Sequence, residues 1–311
     1  MKTKKEEIAS AIIRTIIYSD IFDYPLTLSE ITKFLISKHK ISTEDLKKVL
    51  LELVADQKFI CVNGEFYFLK GRQEIVKTRL NRRKNSEKKL IIAEKVASKL
   101  SFFPWVKMIA ITGALAMENC DIDDDIDFLI ITTAERLWLT RLLIYLLVTI
   151  LGIKRRKPKE KEVGDKICLN LFLEEDSLKI QPENLFFAHE ICQTRPIFVR
   201  GDTYEKFLWE NRWVRKFLPY GVKISAKCKV QSAKLKQRGF LSQYLNILIS
   251  FLERIAFALQ YQYMKPKITN EKISRHQAFF HPQNLQKKIC VSFEEKTKRI
   301  KMLDKVGEWL I

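Results

Sequence analysis

The sequence predicts an α+β fold in which helices flank a mixed β-sheet. A small module of helices and a hairpin precedes the sheet, and a helical C-terminal region follows it. Three observations predict this. Residues 1–72 carry three short helical patterns followed by two β-rich runs around Asn63-Gly64. Residues 103–180 alternate strand-like apolar runs with helical ones, and beyond about residue 180 the apolar spacing is helical throughout. The boundaries that result are 1–72, a linker helix over 73–102, a core over 103–180 and a helical region over 181–311.

Composition narrows the function classes before any motif is read. The 311 residues suffice for two domains, and 47% hydrophobic with 30% charged residues describes a globular chain rather than a disordered one. The 56 Lys and Arg outnumber the 37 Asp and Glu, giving a net charge of +19. Such a surface suits nucleic acid, nucleotides or an anionic membrane without choosing among them. The six cysteines (Cys61, Cys120, Cys168, Cys192, Cys228, Cys290) show no CxxC spacing, which argues against a zinc knuckle or a disulfide framework and fits a reducing, cytoplasmic setting. Met1 to Glu7 leads into no signal-peptide pattern. The apolar run over 142–153 is too short for a span, which needs roughly 20 residues, so a buried crossover helix is expected, with a membrane-surface helix as the minor alternative, and no integral membrane span.

In chain order, Ile8, Ile12, Ile13 and Ile16 recur at helical spacing, and Asp23-Tyr24-Pro25 ends that helix. Thr27 with Glu30 three residues on forms a capping box for a second helix. Ser42 to Asp45 opens a third, with Leu46, Val49, Leu50 and Leu53 on one face. Three helices and a hairpin resemble a winged helix. In DNA-binding members of that class the third helix enters the major groove. Here that helix carries Lys47 and Lys48 beside Glu44, Asp45 and Glu52, so DNA reading and a protein-contact or spacer role both stay open.

Residues 73–100 read as one long basic helix (Lys77, Arg79, Arg82, Arg83, Lys84, Lys88, Lys89) with a solvated linker face. Strands follow over 106–112, 126–132 and 166–173, with a turn or short helix over 113–119 and a helix over 137–152. A charged loop spans 154–163, and helices are expected over 182–193, 204–217, 239–263 and 291–311. The stripe Leu245, Leu248, Leu252, Ile255 and Leu259 reads as core or as a homodimer contact. His189 lacks a histidine four residues on, so it is read as a surface or core-edge residue, and His276 and His281 have no partner spacing. Cys120 and Cys168 fall near the acidic stretch, and small buried packing thiols are the better reading of both.

The chemistry concentrates at Gly113 to Thr132, where Asp121, Asp123, Asp124, Asp125 and Asp127 cluster in a basic chain. Alternation along a strand places Asp125 and Asp127 on one face, a few ångströms apart. Carboxylates held that close need solvent, a proton or a cation, and oxygen ligation by two of them suits Mg²⁺. Asp121, Asp123 and Asp124 read as exposed turn residues.

Gly113-Ala114-Leu115-Ala116 followed by Asp124-Asp125-Ile126-Asp127-Phe128-Leu129 resembles the DNA polymerase β-like nucleotidyltransferase superfamily, in its minimal type. The first acid falls twelve residues after the glycine, and the resemblance covers residues 106–173. It implies a nucleotidyltransferase-type sheet and transfer of a nucleoside monophosphate from a nucleoside triphosphate such as ATP to a hydroxyl. In that scheme Asp125 and Asp127 hold Mg²⁺, and the backbone at Gly113 and Ala114 approaches the outer phosphates. Ala114 stands where the family has serine, and Glu118 where it has a second glycine. The strand 166–173 has no carboxylate; Asn170 is its mid-strand polar residue facing the site, with Asp165 at the strand entrance as the fallback. The acceptor stays open among a small molecule, a protein side chain and an RNA end. The alternative is a non-catalytic regulator that senses nucleotide and binds DNA through the winged-helix-like module.

Overall fold

The first 72 residues fold as their caps and turns predict. A computed structural model describes residues 3–157, 160–224, 240–268, 271–280 and 284–303. His281, Cys228 and the last part of the helix expected over 291–311 lie outside these residues. Helix α1 (Lys4–Asp20) starts in a capping box between Thr3 and Glu6, and α2 (Leu28–Lys33) in the one between Thr27 and Glu30. Ser42 caps α3 (Thr43–Asp56), and Leu46, Val49, Leu50 and Leu53 are its buried face. Strands β1 (Ile60–Asn63) and β2 (Phe66–Leu69) pair antiparallel around Gly64, whose φ of +59° suits glycine. Leu26 adds an isolated bridge to Tyr67.

The long helix α4 (Glu74–Leu100) corrects the reading of a solvated linker. Arg79 pairs with Glu30 and stacks on Tyr24 and Phe66. Arg82 reaches Asp121, and Lys89 is 2% exposed. These side chains share one helical stripe with Ile75, Val76, Ser86, Ala93, Val96 and Leu100, so the face turned to the protein is partly cationic. Lys77, Lys84 and Lys88 remain exposed, as expected.

The mixed sheet begins with β3 (Val106–Ile111), the one-turn helix α5 (Gly113–Ala116) and β4 (Ile126–Thr132). Helix α6 (Leu137–Ile150) then crosses over to β5 (Ile167–Glu174), which runs parallel to β4. Its outer residues Leu142, Leu146 and Ile150 are exposed, so the crossover helix is buried on one side only. Helix α7 (Leu185–Gln193), β6 (Arg195–Val199) and α8 (Thr203–Glu210) come next, then a 3₁₀ turn at Arg212–Lys216. Helix α9 (Phe240–Met264), β7 (Lys272–Ile273), β8 (Gln277–Phe279) and α10 (Asn284–Leu303) complete the described chain.

The six-stranded order is β6-β3-β4-β5-β8-β7. The expectation of helices alone beyond residue 180 is therefore corrected: β6, β7 and β8 finish the sheet begun by β3. These strands are short and lie toward its edges, and Pro196 in β6 sits at a register shift against Ile109 and Ala110. Edge positions tolerate a proline that central strands exclude, which hides such a strand from a pattern search. On one sheet face, Met108, Ala110, Leu129, Ile131 and Leu173 pack toward α7 and the N-terminal module. On the other, Ile109, Ile111, Phe128, Ile130 and Phe172 pack toward α4, α6 and α9. No described helix is long and apolar enough to cross a membrane.

Candidate functional site

The acidic pair lies at the entrance of β4. Asp125 and Asp127 sit on the sheet face that also carries Leu129 and Ile131, as alternation predicts. In the parallel register Asp127 stands beside Cys168 of β5. Phe128 pairs with Leu169 and Leu129 with Leu171, so Asn170 is the extra residue of a β-bulge. A bulge turns two consecutive side chains to one face. Asn170 thereby joins Leu171 on the side of the acids, and its Nδ2 donates to Asp127 Oδ1 at 3.2 Å. The structure thus brings Asp125, Asp127 and Asn170 together.

One carboxylate oxygen of each aspartate and the Cys168 sulfur lie within 4.8 Å of one another. Cys168, read from sequence as a packing thiol, is part of the site; its sequence position two residues before Asn170 was the available signal. Its thiol hydrogen-bonds to Asp127, and burial followed by the charges of Asp127 and Asp125 holds it protonated well above the ordinary cysteine range. Arg156, from the charged loop after α6, donates to Asp125 Oδ2 at 2.9 Å. Two carboxylates against one guanidinium leave a formal charge of −1 at the cluster, so the donor set of two carboxylates suits a divalent cation.

Gly113 closes the site from the β3–α5 turn. Its φ is +62°, and a Cβ placed there would lie 2.8 Å from Asp127 Oδ2. The glycine is required twice, by backbone conformation and by the carboxylate pressed against it. Gly113→Ala is expected to destabilise the protein by about 1 kcal/mol and to displace Asp127. Thermal denaturation checks the first effect, and a shift of the Asp127 carboxylate signal in NMR the second. Ala114 follows in the first turn of α5. Glu118 has a φ of +54°, a conformation glycine adopts more readily. It ion-pairs with Arg195 of β6 and lies 3.7 Å from Arg83 of α4.

Asp121 and Asp124 hold the loop. Asp121 accepts from Arg82, and its N–H donates to Asp124 Oδ2 at 2.8 Å. Asp124 is half-buried, with its carboxyl raised above its ordinary value by burial and then by the charges of Asp121 and Asp125. Only Asp121 and Asp123 are exposed as expected. Lys89 reaches up from α4 to the Ile122 carbonyl at 2.9 Å, the Asp124 carbonyl at 2.7 Å and Asp165 Oδ1 at 2.8 Å. Asp165 therefore serves the loop rather than the acidic pair.

Thr112 and Asn170 also line a cavity on the same sheet face, whose walls include Leu171, Ile180, Phe186, Phe187, Thr194 and Phe279. It adjoins the acidic pair, and part of its wall comes from α7 and β8, elements whose relation to the site has no local sequence signal. Away from it, His276 Nδ1 lies 2.7 Å from Glu174 Oε2 and its pKa is raised, first by that hydrogen bond. That pair links β5 to β8. His189 is fully buried in α7, which corrects its reading as a surface or core-edge residue. Comparison with family models, curated proteins and solved structures returned no match.

Proposed function

We propose that the chain is a Mg²⁺-dependent nucleotidyltransferase of the DNA polymerase β-like type, moving a nucleoside monophosphate from a triphosphate to an acceptor hydroxyl. One observation carries this reading. Asp125 and Asp127 lie close together at the start of β4 with the positive-φ Gly113 against Asp127, which agrees with the sequence resemblance. Asp125 and Asp127 would hold the cation, which when bound neutralises charge on the reacting phosphate.

The chain's own residues have distinct tasks. Asn170 is a positioning residue: its amide fixes the Asp127 carboxylate and cannot act as a base near neutral pH. Gly113, lacking a side chain, makes room for the Asp127 carboxylate, and the backbone N–H groups of Gly113 and Ala114 would be the groups that approach the outer phosphates. Arg156, 42% exposed at the site's mouth, supplies a cation suited to the triphosphate. The adjoining cavity offers apolar walls with Thr112 and Thr194 for the base or the acceptor.

A second reading, nucleotide sensing without transfer, is favoured by Cys168 and Asn170 on the strand where a third carboxylate is implied. The N-terminal module suits a spacer or protein contact better than DNA reading, because Lys4 and Lys5 pair with Asp45 and Glu52 of α3. The assay for both readings is incubation with α-labelled ATP, GTP, CTP or UTP, Mg²⁺ and cell extract. Labelling of an acceptor by wild type and a loss of at least about a hundredfold in Asp127→Asn are expected. Mg²⁺-dependent binding without labelling selects the sensor. Neither binding nor labelling rejects the site altogether.

A further inference from the structure

We propose that the outer faces of α9 and α6 form a docking surface for an anionic lipid bilayer, on which the protein lies without crossing it. The inner side of α9 is already engaged. Glu253 accepts the Trp138 and Leu139 N–H groups at the start of α6, both at 2.7 Å, and Gln260 donates to the Trp138 carbonyl at 2.8 Å. Ala256, between them in helical spacing, is 3% exposed. Beside this engaged strip and turning away from it, Leu245, Leu248, Leu252, Ile255 and Leu259 recur at intervals of three and four with Phe251 next to them, and all are exposed. Phe251 is 59% exposed and Leu259 65%. On the neighbouring helix, Leu146 is 55% and Ile150 70% exposed. Two adjacent helices with large apolar side chains turned outward mark an interaction surface rather than a solvated one.

Charge decides what covers it. Helix α6 contains no carboxylate, and the only one in α9, Glu253, is buried in capping α6. The nearby Glu135 accepts from Ser250 of α9. Cations frame the surface instead: Arg254 within α9, Lys265 beyond its end, and Lys154, Arg155 and Lys157 directly after α6. Two copies meeting through this face would bring like-charged rims together in a chain of net charge +19. An anionic bilayer attracts the same rim while its acyl boundary takes up the apolar stripe. Because Arg156, between Arg155 and Lys157 in sequence, binds Asp125, the segment that supplies this rim also reaches the candidate site.

Vesicle flotation of the full chain tests this. Wild type is expected to float with vesicles of phosphatidylcholine and phosphatidylglycerol and to stay in solution with phosphatidylcholine alone. Leu248→Asp combined with Phe251→Asp, and separately Lys154→Glu combined with Lys157→Glu, should each lower the bound fraction at least about tenfold. No flotation of wild type overturns the proposal, as does flotation that the apolar double variant leaves unchanged. Light scattering adds a third outcome: a wild-type dimer that the apolar variant dissolves, without vesicle binding, assigns the face to a second copy and rejects the lipid. If the apolar variant melts early, hydrogen exchange of wild type decides. Slowed exchange in α6 and α9 with anionic vesicles supports docking, and unchanged exchange overturns it.

Discussion

Lys89→Met is expected to destabilise the protein by about 3 kcal/mol, more than any neighbouring lysine substitution on α4. The lysine is 2% exposed, and its ammonium donates to two backbone carbonyls and one carboxylate. Methionine fills similar space along the stem but donates nothing. The Ile122 and Asp124 carbonyls then lose their partner at a place where the lysine had excluded water. Asp165, with 59% of its side chain exposed, recovers hydration, which keeps the cost at the low end of the range for a broken buried pair. Lys88→Met, one residue away and exposed, is the control and should change stability by less than about 0.5 kcal/mol. Urea unfolding monitored by circular dichroism reads both. The functional consequence follows from what the carbonyls belong to. Asp124 is the residue immediately before Asp125, so releasing its backbone frees the carboxylate that we propose holds the cation. Mg²⁺-dependent nucleotide binding, the readout of the proposed function, should weaken in Lys89→Met under conditions where the variant is still folded. Equal stability of the Lys88 and Lys89 variants would contradict the clamp.

This clamp also shows which parts of the molecule were legible in the sequence. The capping boxes of α1 and α2, the β1–β2 hairpin and the alternation that pairs Asp125 with Asp127 are local rules, each complete within a few residues. They were readable because nothing distant has to agree with them. The basic residues of α4 obey a local rule too, since Arg79, Arg82 and Lys89 recur on the stripe of Ile75, Val76, Ala93 and Val96. A charge count treated them as a solvated face, but helical spacing places them inward. Their partners Glu30, Asp121 and Asp165 lie far away in sequence, so the pairing itself had no local trace.

The site divides in the same way. Gly113 and the Asp-x-Asp spacing were visible, and the geometry gives each a physical reason in the contact between the glycine and Asp127 Oδ2. Asn170 was named as the polar residue on the facing strand. The bulge that points it at Asp127 arises from the pairing of two strands about forty residues apart, which no pattern within either strand encodes. Cys168 was undervalued because a thiol in an apolar strand is ordinarily packing material. The late strands β6, β7 and β8 were missed because each is short and lies toward an edge of the sheet.

His189→Phe is expected to remove an acid sensitivity that is built into the contact between α7 and the N-terminal module. The imidazole stacks on Tyr18 with ring centroids 3.9 Å apart and lies 5.7 Å from Phe34. Both ring nitrogens are buried without a hydrogen-bond partner among the described residues. Burial lowers its pKa from 6.5 to about 3, so the folded protein keeps this ring neutral. The unfolded chain takes up a proton below about 6.5, and the folded chain does not until about 3. Between those values the unfolded state binds more protons, so stability rises with pH and is lost on acidification. At about pH 5 the deficit is roughly 1.5 pH units, or about 2 kcal/mol relative to neutral pH. Phenylalanine preserves the stacking and removes both the titration and the unpaired nitrogens. Its stability advantage over wild type should therefore grow by about 2 kcal/mol between about pH 8 and pH 5, measured as the difference in urea midpoints at the two values. Equal advantages at both pH values would mean that the folded imidazole reaches solvent or a partner when it protonates, and would refute its burial between α1 and α7.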